Sequence, residues 1–151
     1  MMKTKLAPSH KHLAIWQQAL LVFLGSLIIA ISAKIAIPFY PVPVTLQTLA
    51  VLLIGMLLGP YIGALTVTCY LIEGAVGLPV FSYAPTAMTA GYLYGFLPAA
   101  FLAGSLVQRG WGKSWLGTFA AALLADTIVF LMGLAVLRLF MHSWTQTLQL
   151  G

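Results

Sequence analysis

The chain has 151 residues, of which 62% are hydrophobic and 6% charged, and its mean hydropathy is +1.04. Soluble domains contain about 25% charged residues, so this composition excludes an ordinary soluble fold. The net charge of +5 is spread thinly along the chain, whereas a nucleic-acid-binding protein needs a clustered basic face. Long continuous apolar runs exclude a transmembrane β-barrel, which alternates apolar and polar residues. We therefore expect an integral membrane protein of the all-α class, folded as a compact helical bundle in a lipid bilayer.

The first predicted membrane span, Trp16–Ile37, has the length of about 20 residues that a bilayer core requires. Residues 1–14 carry three lysines and are predicted to be a cytoplasmic segment. The apolar run is longer than that of a signal peptide and lacks a small-residue cleavage site, so we expect the span to be retained. Lys34, near its end, either extends toward the membrane surface or receives a ligand carboxylate.

A first polar patch follows, in which Pro38, Pro41 and Pro43 prevent a regular helix. The second predicted span, Thr45–Leu58, begins with Thr45 as a plausible N-cap residue. Because this span is short, part of the proline-rich segment is expected to lie at membrane depth against protein. Prolines and polar groups are costly in hydrocarbon unless they line a cavity or pack on protein.

Gly59-Pro60 predicts a tight turn, and a second polar patch, Tyr70–Phe81, follows at the end of the next span. The remaining spans are predicted at Tyr61–Ala75, Thr86–Val107 and Trp115–Phe140. The bundle then comprises residues 15–141, and residues 142–151 form a polar tail too short to cross again. Small residues at four-residue spacing, such as Gly55/Gly59 and Ala100/Gly104, predict close helix packing.

The distribution of positive charge predicts the orientation in the membrane. With five spans, one side carries five basic residues: Lys3, Lys5, Lys11, Arg109 and Lys113. The other side has only Lys34 and Arg138. Cytoplasmic loops are enriched in Lys and Arg, so the N-terminus is predicted to be cytoplasmic. Both polar patches then open on the outer face, which indicates an outward-facing site for a small molecule.

Two carboxylates fall within or near apolar spans, Glu73 and Asp126. An intramembrane carboxylate is a candidate functional group, although protonation or capping of a backbone group would also explain it. Thr45 and Gln47 offer a hydroxyl and an amide to a polar ligand, or else cap the following helix. The aromatic residues near the patches could line a binding site or belong to an interfacial aromatic belt.

Catalytic motifs are missing from the sequence. It contains no Walker-type glycine loop, no HExxH pair and no Ser or Cys nucleophile near a His. The single cysteine, Cys69, has no partner for an intrachain disulfide or a metal site. We therefore expect neither an enzyme nor a bound cofactor or metal, and any ATP hydrolysis must come from another chain.

Several motifs together resemble one known family. They are Pro43–Leu49 (PVTLQTL), Gly59–Ala64 (GPYIGA), Tyr70–Phe81 (YLIEGAVGLPVF) and Gly91–Phe96 (GYLYGF). In this combination they resemble BioY, the biotin-specific substrate-binding subunit (S component) of energy-coupling-factor (ECF) transporters. The resemblance covers about residues 25–105.

The resemblance implies a six-helix bundle, of which five spans are visible here, in a prokaryotic inner membrane. It implies capture of biotin from outside and delivery with an ECF transmembrane coupling subunit and two ATPase subunits. The residues implied to bind or shape the ligand site are Thr45, Gln47, Tyr70, Glu73, Pro79, Phe81 and Tyr92. Biotin suits this set, because its ureido ring needs amide and carboxyl partners and its fused ring and aliphatic chain need apolar walls.

In the resembling family, small residues on the first helix face the coupling subunit. Here they are Ser26, Ala30, Ser32 and Ala36. The segment Ser82–Ala90 is shorter than in the family, and the chain reaches Gly151 without the Gly-Asp-x-x-Lys motif that opens the family's last helix. Two interpretations stay open: truncation before a sixth helix, or absence of that helix.

Two other functions remain as alternatives. One is a self-sufficient, proton-coupled transporter of small molecules that uses Glu73 or Asp126 as its coupling carboxylate. The other is a non-transporting assembly protein whose small-residue faces bind a partner. An outer ligand site, pH-dependent flux by the chain alone, and ligand-independent partner binding would distinguish the three.

Overall fold

The computed structural model describes residues 13–37, 44–81 and 90–140. Within these ranges the chain forms five α-helices, two short strands and a turn of 3-10 helix at Trp111–Lys113. The helices are α1 (Ile15–Lys34), α2 (Gln47–Leu58), α3 (Pro60–Ala75), α4 (Ala90–Gln108) and α5 (Trp115–Phe140), and the strands are β1 (Ala36–Ile37) and β2 (Val44–Thr45). The predicted all-α helical membrane fold is confirmed.

Among the described helices, α1, α4 and α5 are long and apolar enough to cross a membrane. Helices α2 and α3, with 12 and 16 residues, are shorter than the about 20 residues that a hydrocarbon core requires. Their predicted starts, at Thr45 and Tyr61, differ by two residues and one residue from the observed ones. The predicted start of the fourth span, Thr86, lies outside the described residues.

The end of the first span differs from the prediction. Helix α1 stops at Lys34, and Ala36–Ile37 pair antiparallel with Val44–Thr45. The residue before a proline disfavours helical dihedral angles, and Ile37 precedes Pro38, so an extended conformation is favoured there. Leu46 N also donates to Ile35 O at 3.1 Å. This pairing holds the end of α1 beside the start of α2; residues 38–43, with the three prolines, lie outside the described ranges.

Helix α4 is the centre of the bundle, in contact with α2, α3 and α5, whereas α1 packs outside against α3 and α2. Three glycines allow α2, α3 and α4 to approach one another closely. A Cβ added to Gly55 would collide with the Ala100 backbone, and one added to Gly104 would lie 2.5 Å from Pro60 N. One added to Gly63 would lie 2.8 Å from the Gly55 Cα. The predicted close packing through small residues is therefore confirmed where α2, α3 and α4 cross.

The turn between α2 and α3 is made by Gly59, whose φ is +88°. This conformation suits glycine because an L side chain would be strained there. Pro60 then occupies the first position of α3, where a missing N–H removes no helical hydrogen bond. The predicted Gly59-Pro60 turn is confirmed, and it reverses the chain so that α2 and α3 lie antiparallel.

Candidate ligand-binding site

The two polar patches meet at one end of the bundle. Gln47 is the first residue of α2 and is only 3% exposed, and its Nε2 donates to the Tyr70 hydroxyl at 2.7 Å. The Tyr70 hydroxyl in turn donates to Val80 O at 3.1 Å, and the Tyr70 side chain is fully buried. Because α2 begins where α3 ends, this chain of hydrogen bonds joins the first patch to both ends of the second. We call Gln47, Tyr70 and Val80 the amide–phenol network.

Thr45 lies beside this network at the end of β2. Its Oγ1 accepts a hydrogen bond from Gln47 N at 3.3 Å. The helix itself begins at Gln47 rather than at Thr45, yet the hydroxyl still satisfies an N–H of the first turn, as an N-cap does. Thr45 thereby holds the backbone from which the Gln47 side chain projects.

The segment after α3 forms one edge of the site. The chain turns at Gly77, with φ +97°, and Leu78 N donates back to Glu73 O at 3.1 Å. The Phe81 ring lies against Gly74 and meets the Tyr70 ring edge-on, with centroids 5.5 Å apart. Any side chain at position 74 would occupy the space of the Phe81 ring. Pro79 is exposed, so its contribution is to the shape of this segment.

A second polar cluster joins α1 to α3. The Glu73 Oε1 accepts a hydrogen bond from Ser26 Oγ at 2.9 Å and one from Cys69 Sγ at 3.4 Å. The other oxygen, Oε2, is buried and has no hydrogen-bond partner among the described residues. A buried carboxyl oxygen without a partner costs free energy, so this group has an unused acceptor that a ligand or water could satisfy.

Lys34, at the end of α1, reaches the same region. Its Nζ donates to Phe81 O at 2.7 Å. The carbonyls of two successive residues, Val80 and Phe81, are thus held by side chains from two different helices. The sequence left open whether Lys34 extends to the membrane surface, and this contact ties it to the edge of the site.

One predicted site residue, Tyr92, and the second candidate carboxylate, Asp126, lie elsewhere. Tyr92, in the first turn of α4, packs against α5, with its ring on Gly133 and edge-on to Phe130 at 6.2 Å. Asp126 lies half-buried on α5, without a hydrogen bond in the part of the chain that the structure describes. In the described ranges, no three His, Cys, Asp or Glu side chains are grouped as a metal site would require.

The four small residues of the first span do not share one environment. Ser26 is fully buried and bonded to Glu73, so it is an internal contact of the bundle. Ala30, Ser32 and Ala36 are partly exposed. A small residue packs equally well inside a bundle and against a partner, and the sequence held no signal that separated Ser26 from the others. Ser26 precedes Ala33, which is also buried, by seven residues, and this spacing places both on one face of the helix.

Comparison with known proteins identifies the family. The model of the BioY family matches residues 2–151. The biotin transporter BioY of Thermotoga maritima is 34% identical over 130 residues, which cover 82% of this chain and 76% of the relative. The biotin transporter BioY of Rhodobacter capsulatus is 42% identical over 92 residues, covering 56% of this chain and only 48% of the relative.

A solved structure shares the fold. The crystal structure of the S-component for biotin from an ECF-type ABC transporter superposes with a TM-score of 0.72 at 27% sequence identity. The match covers 82% of this chain and 72% of that one. Together with the apolar helices, these similarities show a multi-pass membrane protein of known architecture. The chain belongs to the BioY family.

Proposed function

We propose that this chain is the membrane substrate-capture subunit for biotin uptake. In this proposal it binds biotin at the outward-facing site and delivers it across the membrane with an ECF coupling module. The observation that carries the proposal is the amide–phenol network, in which the amide of Gln47 and the hydroxyl of Tyr70 are bonded to each other beside the packed rings of Tyr70 and Phe81. The names of the relatives and of the solved S-component support biotin as the ligand.

The chemistry of the site suits biotin. Its ureido ring has one carbonyl acceptor and two N–H donors, and these complement an amide, a phenol and a carboxyl group. Gln47, Tyr70 and the unpartnered oxygen of Glu73 supply those groups. The thioether ring and aliphatic chain require apolar walls, which the rings of Tyr70 and Phe81 provide. Thr45 and Pro79 would hold the segments on either side, whereas the ring of Tyr92 packs on α5.

The coupling module supplies energy in this proposal. The chain has no nucleotide-binding motif, so concentrative uptake would need a transmembrane coupling subunit and two ATPase subunits. Membership of the BioY family supports a prokaryotic inner-membrane location, and the basic residues favour an orientation with residues 1–14 in the cytoplasm. In this proposal the bundle covers residues 15–141 and a polar tail covers 142–151. The names of the relatives do not favour the two alternatives, a self-sufficient proton-coupled transporter and an assembly protein.

Biotin binding is the direct test. We expect isothermal titration of the detergent-purified chain with biotin to show saturable binding, because polar and apolar groups complementary to biotin converge at one site. A large excess of thiamine or riboflavin should leave the isotherm unchanged, since neither has a cyclic urea in which two N–H donors flank one carbonyl. Equal competition by either vitamin, or no saturable binding at all, would contradict the biotin assignment.

We also propose that α1 contacts the coupling subunit. One face of α1 is buried through Gly25, Ser26, Ile29 and Ala33, and the opposite face exposes large apolar side chains, which include Phe23, Leu27 and Ile31. Ser32 lies at the border of this exposed face, where its hydroxyl bonds only to Ile28 O of its own helix in the contacts described. Ala30 packs partly against the core, so Ser32 is the cleaner position for a test.

We expect Ser32→Leu to reduce copurification with the coupling subunit and to reduce biotin uptake, because a larger side chain prevents close helix approach. Biotin affinity should change by less than about twofold, since Ser32 makes no contact with the amide–phenol network. The control is Ala135→Leu, which adds the same kind of bulk on the exposed side of α5. Normal association of the Ser32 variant would remove this placement of the docking surface.

A further inference from the structure

Lys34 is a positively charged residue in contact with the edge of the candidate site. Its Nζ lies 2.7 Å from Phe81 O, and the Phe81 ring is packed edge-on against Tyr70. Tyr70 in turn carries the hydroxyl that accepts from Gln47. An unbroken series of contacts therefore leads from the ammonium to the amide–phenol network. The Lys34 side chain is also exposed, so a ligand atom can approach it without full desolvation of the charge.

The charges at this end of the bundle are arranged along α1. Ser26, which bonds to Glu73, precedes Lys34 by eight residues, a separation of about 12 Å along a helix axis. The carboxyl group thus lies deeper in the bundle, and the ammonium lies at its end. Arg109 and Lys113 flank the turn between α4 and α5, at the opposite end. Arg138, near the end of α5, is the other basic residue at the same end as Lys34 among the described residues.

We propose that Lys34 pairs with the carboxylate of biotin, so that the ureido ring points into the bundle and the acidic chain points outward. This inference rests on the proposed function. An aliphatic carboxylate is ionised at neutral pH, so it is favoured at the end of α1 that carries the ammonium. An ammonium has three donors, and a charge-assisted hydrogen bond to a carboxylate is stronger than one to a neutral carbonyl.

The experiment compares biotin with biotin methyl ester, which keeps the rings and chain but lacks the negative charge. Affinities for both ligands are measured by titration calorimetry for the wild type and for Lys34→Gln, whose amide keeps N–H donors but carries no charge. We expect Lys34→Gln to lower the affinity for biotin roughly 10- to 100-fold and to change the affinity for the ester by less than about threefold. Lys34→Arg, which keeps a positive charge, should restore most of the affinity for biotin.

Arg138→Gln is the matched control, because it removes a positive charge from the same end of the bundle. It should leave the ratio of the two affinities unchanged. If Lys34→Gln lowered the affinities for biotin and for the ester equally, the role of Lys34 would be limited to its hydrogen bond with Phe81 O, and the proposed pairing would be wrong. The pairing would also be wrong if only Arg138→Gln lowered the affinity for biotin relative to that for the ester. A wild type that binds biotin but does not prefer it to the ester overturns the pairing only; a wild type that binds neither overturns the proposed function itself.

Discussion

Gly55→Val is expected to prevent formation of the folded bundle or to lower its melting temperature by at least about 10 °C. The Cβ of valine would occupy the position of the Ala100 backbone, and the Ala100 Cα lies only 2.9 Å from it. Since the obstacle is main chain, α4 as a whole would have to move away from α2. That movement would separate Gly104 from Pro60 and open the crossing of three helices. Folded yield by size-exclusion chromatography and thermal unfolding by circular dichroism measure the effect.

The control for this prediction lies on the same helix, two residues further along. Leu57 is 54% exposed, and Leu57→Val introduces the same residue on the outer side of α2. Its melting temperature should stay within about 2 °C of the wild type, since surface substitutions change stability little. If Gly55→Val and Leu57→Val had the same yield and melting temperature, the close crossing of α2 and α4 would be wrong.

Tyr70→Phe is expected to weaken biotin binding about tenfold or more and to destabilise the protein by about 1–3 kcal/mol. The substitution keeps the ring that packs on Phe81 but removes the hydroxyl. The Gln47 amide and Val80 O, which that hydroxyl joins, then lose their partner in a buried environment. Binding isotherms and thermal unfolding measure the two effects separately.

The control is Tyr61→Phe, the same substitution on the same helix at a position that is 74% exposed. It should change neither the biotin affinity nor the stability measurably. The double variant Tyr70→Phe/Gln47→Leu should regain part of the stability, because it also removes the buried amide that Tyr70→Phe leaves without a hydrogen-bond partner. Its biotin affinity should stay low, since both polar groups are then absent. Wild-type affinity in Tyr70→Phe would exclude the amide–phenol network from the binding site.

The helices were largely predictable from the sequence. The bounds of α5 agree with the predicted span, and Gly59-Pro60 marked the junction of α2 and α3. In a bilayer each segment must satisfy its own backbone hydrogen bonds, which makes the helix a property of the local apolar run. The end of α1 was the exception, because the pairing of Ala36 with Thr45 depends on a segment that is distant along the chain.

The location of the candidate site followed from topology, since the two patches lie on alternate connections of the bundle, after α1 and after α3, which open on the same side. The individual contacts did not follow. Ser26 and Glu73 are 47 residues apart, as are Lys34 and Phe81. Ser26 was predicted on an outer face because a small residue fits either a buried crossing or a docking surface. Tyr92 was grouped with the other aromatic residues, yet its ring packs on α5.

The sequence by itself determined the class of the protein, its helices, and the end of the bundle at which polar groups collect. These depend on hydrophobicity, proline and glycine, which act over a few residues. Only the tertiary structure decided that Gln47 bonds to Tyr70, that Glu73 bonds to Ser26, and that Lys34 holds the Phe81 carbonyl. Those contacts depend on the rotation of each helix about its axis, which is set by close packing at residues such as Gly55 and Gly104.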